Sequence, residues 1–144
     1  MKKLNKNQLI SLTKINKPFL MIDEIKNIID LKSATGIKKI TKNLWFFKCH
    51  FINEPIMPGT LIEESMLQTI VALLYSNKKF NDKICLITSA KTNFYSKIKK
   101  PTILNIYIKI LKITKLKVET SGVVKDYKNI KIASGNYNYF ISKK

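Results

Sequence analysis

Residues 50–69, HFINEPIMPGTLIEESMLQT, gather the chain's one histidine, a Pro58-Gly59 pair, and the adjacent carboxylates Glu63 and Glu64 ahead of an apolar run. Imidazole and carboxyl groups are the usual proton carriers of catalysis, so His50 and one glutamate would make a general acid–base pair if the fold brings both to one substrate. The competing reading is structural: a lone histidine satisfied by its surroundings, and glutamates acting as a helix cap or a surface charge. Spacing separates the two glutamates. Thr60-Leu61-Ile62-Glu63 fits a capping box, in which Glu63 reaches back to the cap amide and is structural. Glu64 points about 100° further round a helix. Gln68 lies one turn beyond it on the same face, where its amide can steady the carboxylate. Glu64 is therefore the catalytic candidate, against the alternative of a half-buried glutamate paired to a lysine. Cys49 precedes His50 on what reads as a strand, so the two side chains face opposite ways and Cys49 is read as packing.

These side chains must be held by the elements around them. Residues 60–75 place Leu61, Ile62, Met66, Leu67, Ile70, Val71, Leu73 and Leu74 at helical spacing around much of the circumference, which predicts a long buried helix. Upstream, residues 5–12 predict a short helix capped by Asn5 or Asn7 and stopped by Pro18, followed by an extended apolar segment, PFLMIDEI. Residues 33–41 and 44–50 read as a hairpin about Lys42-Asn43. Downstream, residues 84–96, 103–114, 116–127 and 130–141 read as strands, with no crossover helix between them. That order predicts an antiparallel sheet. The expectation is one α+β domain spanning residues 1–144, with a long central helix wrapped by the sheet.

Composition narrows the function classes. The net charge of +18 comes from 27 basic and 9 acidic residues, and every basic residue is lysine. The lysines are spread along the whole chain, and without arginine the bidentate contacts of a specific nucleic-acid reader are missing. They suit either a solvated surface or attraction to acidic partners. Two cysteines and one histidine offer no metal-ligand spacing. The apolar runs are too short for a bilayer, and the start lacks a signal-peptide core, which points to the cytoplasm.

The motif HFxxxPxxPGxLxxExxxQ, with PFLMIDEI upstream, resembles the hotdog-fold 3-hydroxyacyl-acyl-carrier-protein dehydratases of the FabZ type. His50-Phe51, Pro55-Ile56, Pro58-Gly59, Leu61, Glu64, Met66 and Gln68 fall at that family's spacing. The resemblance implies a hotdog fold and a reaction needing no cofactor and no metal. Its substrate would be an acyl chain carried on the phosphopantetheine of an acyl carrier protein. Elimination of water requires a base for the proton beside the thioester carbonyl and an acid for the departing hydroxyl. His50 would be the base, and Glu64 the acid or the group that orients the departing water. The Gly59 amide, at a helix start, would donate to the developing oxyanion, and a side chain there would obstruct the thioester. Phe47, Phe51, Ile56, Met57 and Leu61 would line an acyl tunnel or serve as core, and Pro58 and Gln68 would stand with Gly59, Phe51 and Met57 among the oxyanion- or substrate-binding residues.

The same resemblance implies a homodimer or trimer of dimers whose sites pair the histidine of one chain with the glutamate of the other. The chain departs from the pattern at Cys49, at Ile52-Asn53, where Asn53 would tolerate a positive φ, at Glu63, and at residues 101–104. Alternative readings are a hotdog acyl thioesterase, a polyene- or polyketide-pathway dehydratase, and a non-catalytic module binding acyl carrier, RNA or anionic membrane.

Overall fold

The structure is a computed structural model describing residues 2–144. Seven strands, β1 (Lys2–Asn5), β2 (Glu24–Ile29), β3 (Ser33–Ile40), β4 (Lys83–Phe94), β5 (Thr102–Ile113), β6 (Lys117–Lys125) and β7 (Lys131–Lys143), form one sheet in the order β1-β2-β3-β5-β6-β7-β4. Every pairing is antiparallel, as the absence of crossover helices predicts. The long helix α2 (Gly59–Tyr75) packs across β3, β5, β6 and β7. Its Ile62, Met66, Ile70, Leu73 and Leu74 are buried. They meet Leu104, Ile106 and Ile108 of β5, whose alternation puts one face inward.

The short helix α1 (Lys6–Thr13) begins with a capping box between Asn5 and Gln8. It ends at Lys14 in a left-handed C-cap, ahead of Pro18, so the cap rather than the proline stops it. Two other expectations are corrected. Residues 44–50 form no strand: Trp45–Lys48 is a single 3₁₀ turn, and β3 pairs instead with β2 and β5. Within PFLMIDEI only the end is strand. Leu20, Met21 and Ile22 are buried without joining the sheet. Asp23, which follows them, accepts from the Lys39 amide at 2.8 Å and pairs with Lys6 and the buried Lys38. Burial pushes the Asp23 carboxyl up, but these three partners outweigh it and hold it below the ordinary range.

One edge of the sheet is open. β4 is bonded only to β7, and Ile84, Leu86, Ile87 and Phe94 along it are exposed. Long apolar edge strands template pairing with another chain. Among the described residues, no helix is long and apolar enough to cross a membrane.

α2 packs tightly on β3 at Gly36, where a Cβ would sit 2.3 Å from Thr69 Oγ1. Gly36→Ala should therefore cost on the order of 1–3 kcal/mol by overpacking. Adding Thr69→Ala should recover part of that loss, a coupling that urea-denaturation midpoints of the two single variants and the double variant measure.

Candidate active site

His50 follows the 3₁₀ turn, and its amide bonds to the Phe46 carbonyl at 2.9 Å. Ile56 clamps it twice: the Ile56 amide donates to the His50 carbonyl at 2.8 Å, and His50 Nδ1 lies 2.9 Å from the Ile56 carbonyl. A carbonyl can only accept, so Nδ1 carries a proton, and in the neutral form of the ring the lone pair is on Nε2. The loop between them closes on itself through reciprocal Phe51 and Glu54 backbone bonds of 3.0 and 3.2 Å. It is tied down by the Glu54–Lys99 ion pair and by the Met57 amide on the Ile98 carbonyl at 2.9 Å. The His50–Phe51 peptide is cis, and the two rings lie 3.8 Å apart. Asn53 does not adopt a positive φ, so the loop keeps its shape by these bonds rather than by a left-handed residue.

Glu64 is half-buried on the first turns of α2. Gln68 Nε2 donates to Glu64 Oε1 at 2.9 Å and to the Phe19 carbonyl at 2.8 Å, while Gln68 Oε1 accepts from the Met21 amide at 2.7 Å. The steadying contact expected from the spacing is present, and it is anchored to the segment before β2. Burial pushes the Glu64 carboxyl above the ordinary range, Gln68 pulls the other way, and the charge of Glu63 adds to the rise. A carboxyl that keeps its proton to higher pH can donate it, as elimination requires.

The capping box expected at Thr60 and Glu63 is absent. α2 starts behind Pro58 with no side-chain cap, and Pro58 accepts from the Leu61 and Ile62 amides at 3.0 and 3.2 Å. With Pro58 as the cap the helix starts two residues earlier than a Thr60 cap would start it, which moves Glu63 out of the capping-box position. Glu63 instead accepts a hydrogen bond from Thr92 on β4. The expected reason for Gly59 also changes. A Cβ there would meet the Phe94 ring at 3.1–3.4 Å, so in the single chain the space beside Gly59 is taken by β4.

His50 and Glu64 sit on separate elements, and among the described residues no hydrogen bond joins them. Phe51 is 55% exposed and Met57 only 2%, so Phe51 is available to a ligand while Met57 belongs to the core. Phe47, Ile56 and Leu61 are intermediate. Phe47 joins Pro55, Pro101 and four lysines around a surface cleft of about 340 Å³. Cys49 is exposed, not packed, because its segment is a turn and not a strand. Sequence reasoning missed Thr92, Phe94, Tyr137 and the Phe19 and Met21 backbone. Strand order alone carries no signal for which residues of β4 and β7 face the start of α2. Among the described residues no group of three or more histidine, cysteine or acidic side chains is gathered.

The FabA-like domain description matches residues 15–132 of the chain. The FabZ 3-hydroxyacyl-[acyl-carrier-protein] dehydratase of Clostridium botulinum (strain Loch Maree / Type A3) is 37% identical over 97 residues, 67% of each chain. That of Thermoanaerobacter sp. (strain X514) is 38% identical over 84 residues, 58% of this chain and 59% of the relative. Among solved structures, the dehydratase heterocomplex ApeI:P of Xenorhabdus doucetiae aligns with a TM-score of 0.77 at 13% identity, covering 94% of this chain and 91% of that one. A hypothetical thioesterase with coenzyme A from Streptococcus pneumoniae TIGR4 aligns with a TM-score of 0.65 at 10% identity, covering 83% and 85%. At these identities the two structures share the fold, which is the α+β arrangement of one long helix against an antiparallel sheet.

The raised Glu64 carboxyl has a consequence for stability. Its folded value lies above the unfolded one, so its contribution is fully present below the unfolded value, about pH 4.3. It is lost as pH rises through the folded value. Glu64→Gln, which keeps an oxygen for Gln68, should melt higher than wild type at pH 7–8 and the same near pH 4, checked by thermal unfolding across that range.

Proposed function

The chain belongs to the FabA-like family, and on that premise we propose that it converts (3R)-3-hydroxyacyl-carrier protein to the trans-2-enoyl form in fatty-acid or related acyl-chain synthesis. The observation that carries the catalytic reading is the half-buried carboxyl of Glu64, raised above the ordinary range by burial and fixed by a fully satisfied Gln68.

Nε2 of His50 removes the proton on the carbon next to the thioester carbonyl, and the electron pair moves onto the carbonyl oxygen. The Gly59 amide, one of the first-turn donors that no helical carbonyl uses, points partial positive charge at that oxygen. Glu64 then gives its proton to the hydroxyl on the next carbon. Water leaves, and the double bond forms as the charge collapses. The acyl chain leaves the site past the exposed Phe51 and the half-buried Phe47, Ile56 and Leu61.

Two chains form the working unit in this reading. The open edge of β4, with its exposed Ile84, Leu86 and Ile87, favours pairing with a second copy. The absence of a hydrogen bond between His50 and Glu64 within one chain fits sites composed from both, whether as a dimer or as a trimer of dimers. The acidic carrier of the acyl chain suits a surface of net charge +18.

Incubated with 3-hydroxyacyl-carrier protein, the purified chain should produce a species lighter by one water. Release of free acid instead would favour a thioesterase. His50→Ala and Glu64→Gln should each lose on the order of 10²–10⁴ in rate. Co-refolded in equal amounts, the two variants should regain about a quarter of wild-type activity, since half the dimers are mixed and each mixed dimer has one intact site. Proven subunit mixing without recovery would place both residues of one chain in one site.

A further inference from the structure

Glu63, Thr92 and Tyr137 lie on three different elements, yet they form one hydrogen-bonded chain. Thr92 Oγ1 on β4 donates to Glu63 Oε2 on α2 and lies 2.8 Å from the Tyr137 hydroxyl on β7. Thr92 has one proton and gives it to Glu63, so across the 2.8 Å contact the Tyr137 hydroxyl is the donor, with Met66 Sδ at 3.5 Å as its weaker second acceptor. The order runs from Tyr137 through Thr92 to Glu63. Gly135 makes room for it: Thr92 is directly opposite Gly135 in the β4–β7 pairing, and a Cβ on Gly135 would fall 2.3 Å from the Tyr137 hydroxyl. The tyrosine therefore leans back over its own strand into the space that glycine leaves, and burial pushes its phenol up to about 12, so it remains a donor.

A second contact runs parallel to the first. Phe94, two residues beyond Thr92 and on the same face of β4, lies against Gly59, one helical turn before Glu63. Two residues of strand span about 6.6 Å and four residues of helix about 6 Å, so the two attachments are in step along both elements. Two-point attachment fixes both the height and the rotation of the first turns of α2.

We propose that the Glu63–Thr92–Tyr137 chain is a positioning device for catalysis, which fastens the outer strand β4 to the start of α2 and so sets where Glu64 and the Gly59 amide stand. This rests on the dehydratase reading above. Glu63 adjoins Glu64 in the chain, so a shift in its side chain turns the same helical turn. β4 is also the strand offered to a second copy, so the device links the assembly edge to the reacting groups. Nothing in this role requires Glu63 to touch substrate. It requires an acceptor at position 63 and a hydroxyl at position 92.

The test compares Glu63→Gln, which keeps an acceptor, with Glu63→Leu and Thr92→Val, which break the chain. Thr88→Val serves as a control elsewhere on β4. Each is assayed for kcat and KM with 3-hydroxyacyl-carrier protein and for amide hydrogen exchange over residues 59–64 and 91–94. Glu63→Leu and Thr92→Val should lower kcat roughly tenfold or more with KM within about twofold, as misplacement of reacting groups does. Exchange over both segments should quicken. Glu63→Gln and Thr88→Val should keep kcat within about threefold and leave exchange unchanged. With the like charge removed, Glu63→Gln should move the high-pH fall of the rate to lower pH.

Unchanged kcat and exchange in Glu63→Leu, or Glu63→Gln falling as far as Glu63→Leu, overturns the proposal. If Thr92→Val does not fold, the Gln and Leu pair at position 63 decides. If wild type dehydrates no 3-hydroxyacyl substrate, the dehydratase reading fails. The exchange measurements then still decide whether the chain fastens β4.

Discussion

Gln68 spends every polar atom of its amide on three different partners while sitting fully inside the protein. An amide left unpaired there would cost about 1–3 kcal/mol, so the three bonds act as a constraint and not as an ornament. Through them the middle of α2, the backbone of Phe19 and Met21, and the Glu64 carboxyl are held in one arrangement. The segment before β2 could not become a regular strand without abandoning these bonds. That accounts for an apolar, strand-like sequence running as irregular backbone beneath the helix.

The same constraint explains how one helix carries both packing and chemistry. Most of its circumference is core, and its buried polar side chains Ser65, Gln68 and Thr69 each have a hydrogen-bond partner. Thr69 donates to the Ser65 carbonyl at 2.7 Å beneath Gly36, Gln68 cross-links, and Glu64 is left half-buried with one partner. In the proposed mechanism, burial that would be a defect for a surface glutamate raises the Glu64 carboxyl, as a proton donor needs. The cost falls on stability at neutral pH, a trade commonly found where a site needs a perturbed group. On the histidine side rigidity comes from the backbone: a clamp by Ile56 fixes which ring nitrogen is free.

Much of this was legible in the sequence. Apolar spacing gave α2 almost to the residue, alternation gave the last four strands, and the one-turn offset from Glu64 to Gln68 gave their hydrogen bond. The failures share a cause. The Thr60–Glu63 box failed because Pro58 started the helix earlier, and then Thr92 of β4, distant in sequence, supplied the partner. Residues 44–50 have strand-like composition, but β3 is already paired on both sides, with β2 and with β5, so the hairpin position beside it is taken. The roles of Gly59 and Gly135 depend on Phe94 and Tyr137, and nothing local in a sequence reports what stands opposite a glycine.

The central claim is that Glu64 is held as a proton donor, and its titration tests this most directly. Protein carrying ¹³C at the glutamate side-chain carboxyls can be followed by NMR across pH, with the Glu64→Gln spectrum identifying the resonance. The account predicts that Glu64 titrates at clearly higher pH than the exposed Glu54, whose carboxyl is held below the ordinary range by its hydrogen bond with Lys99 and the charges of Lys99 and Lys97. A Glu64 midpoint at or below that of Glu54 would contradict it.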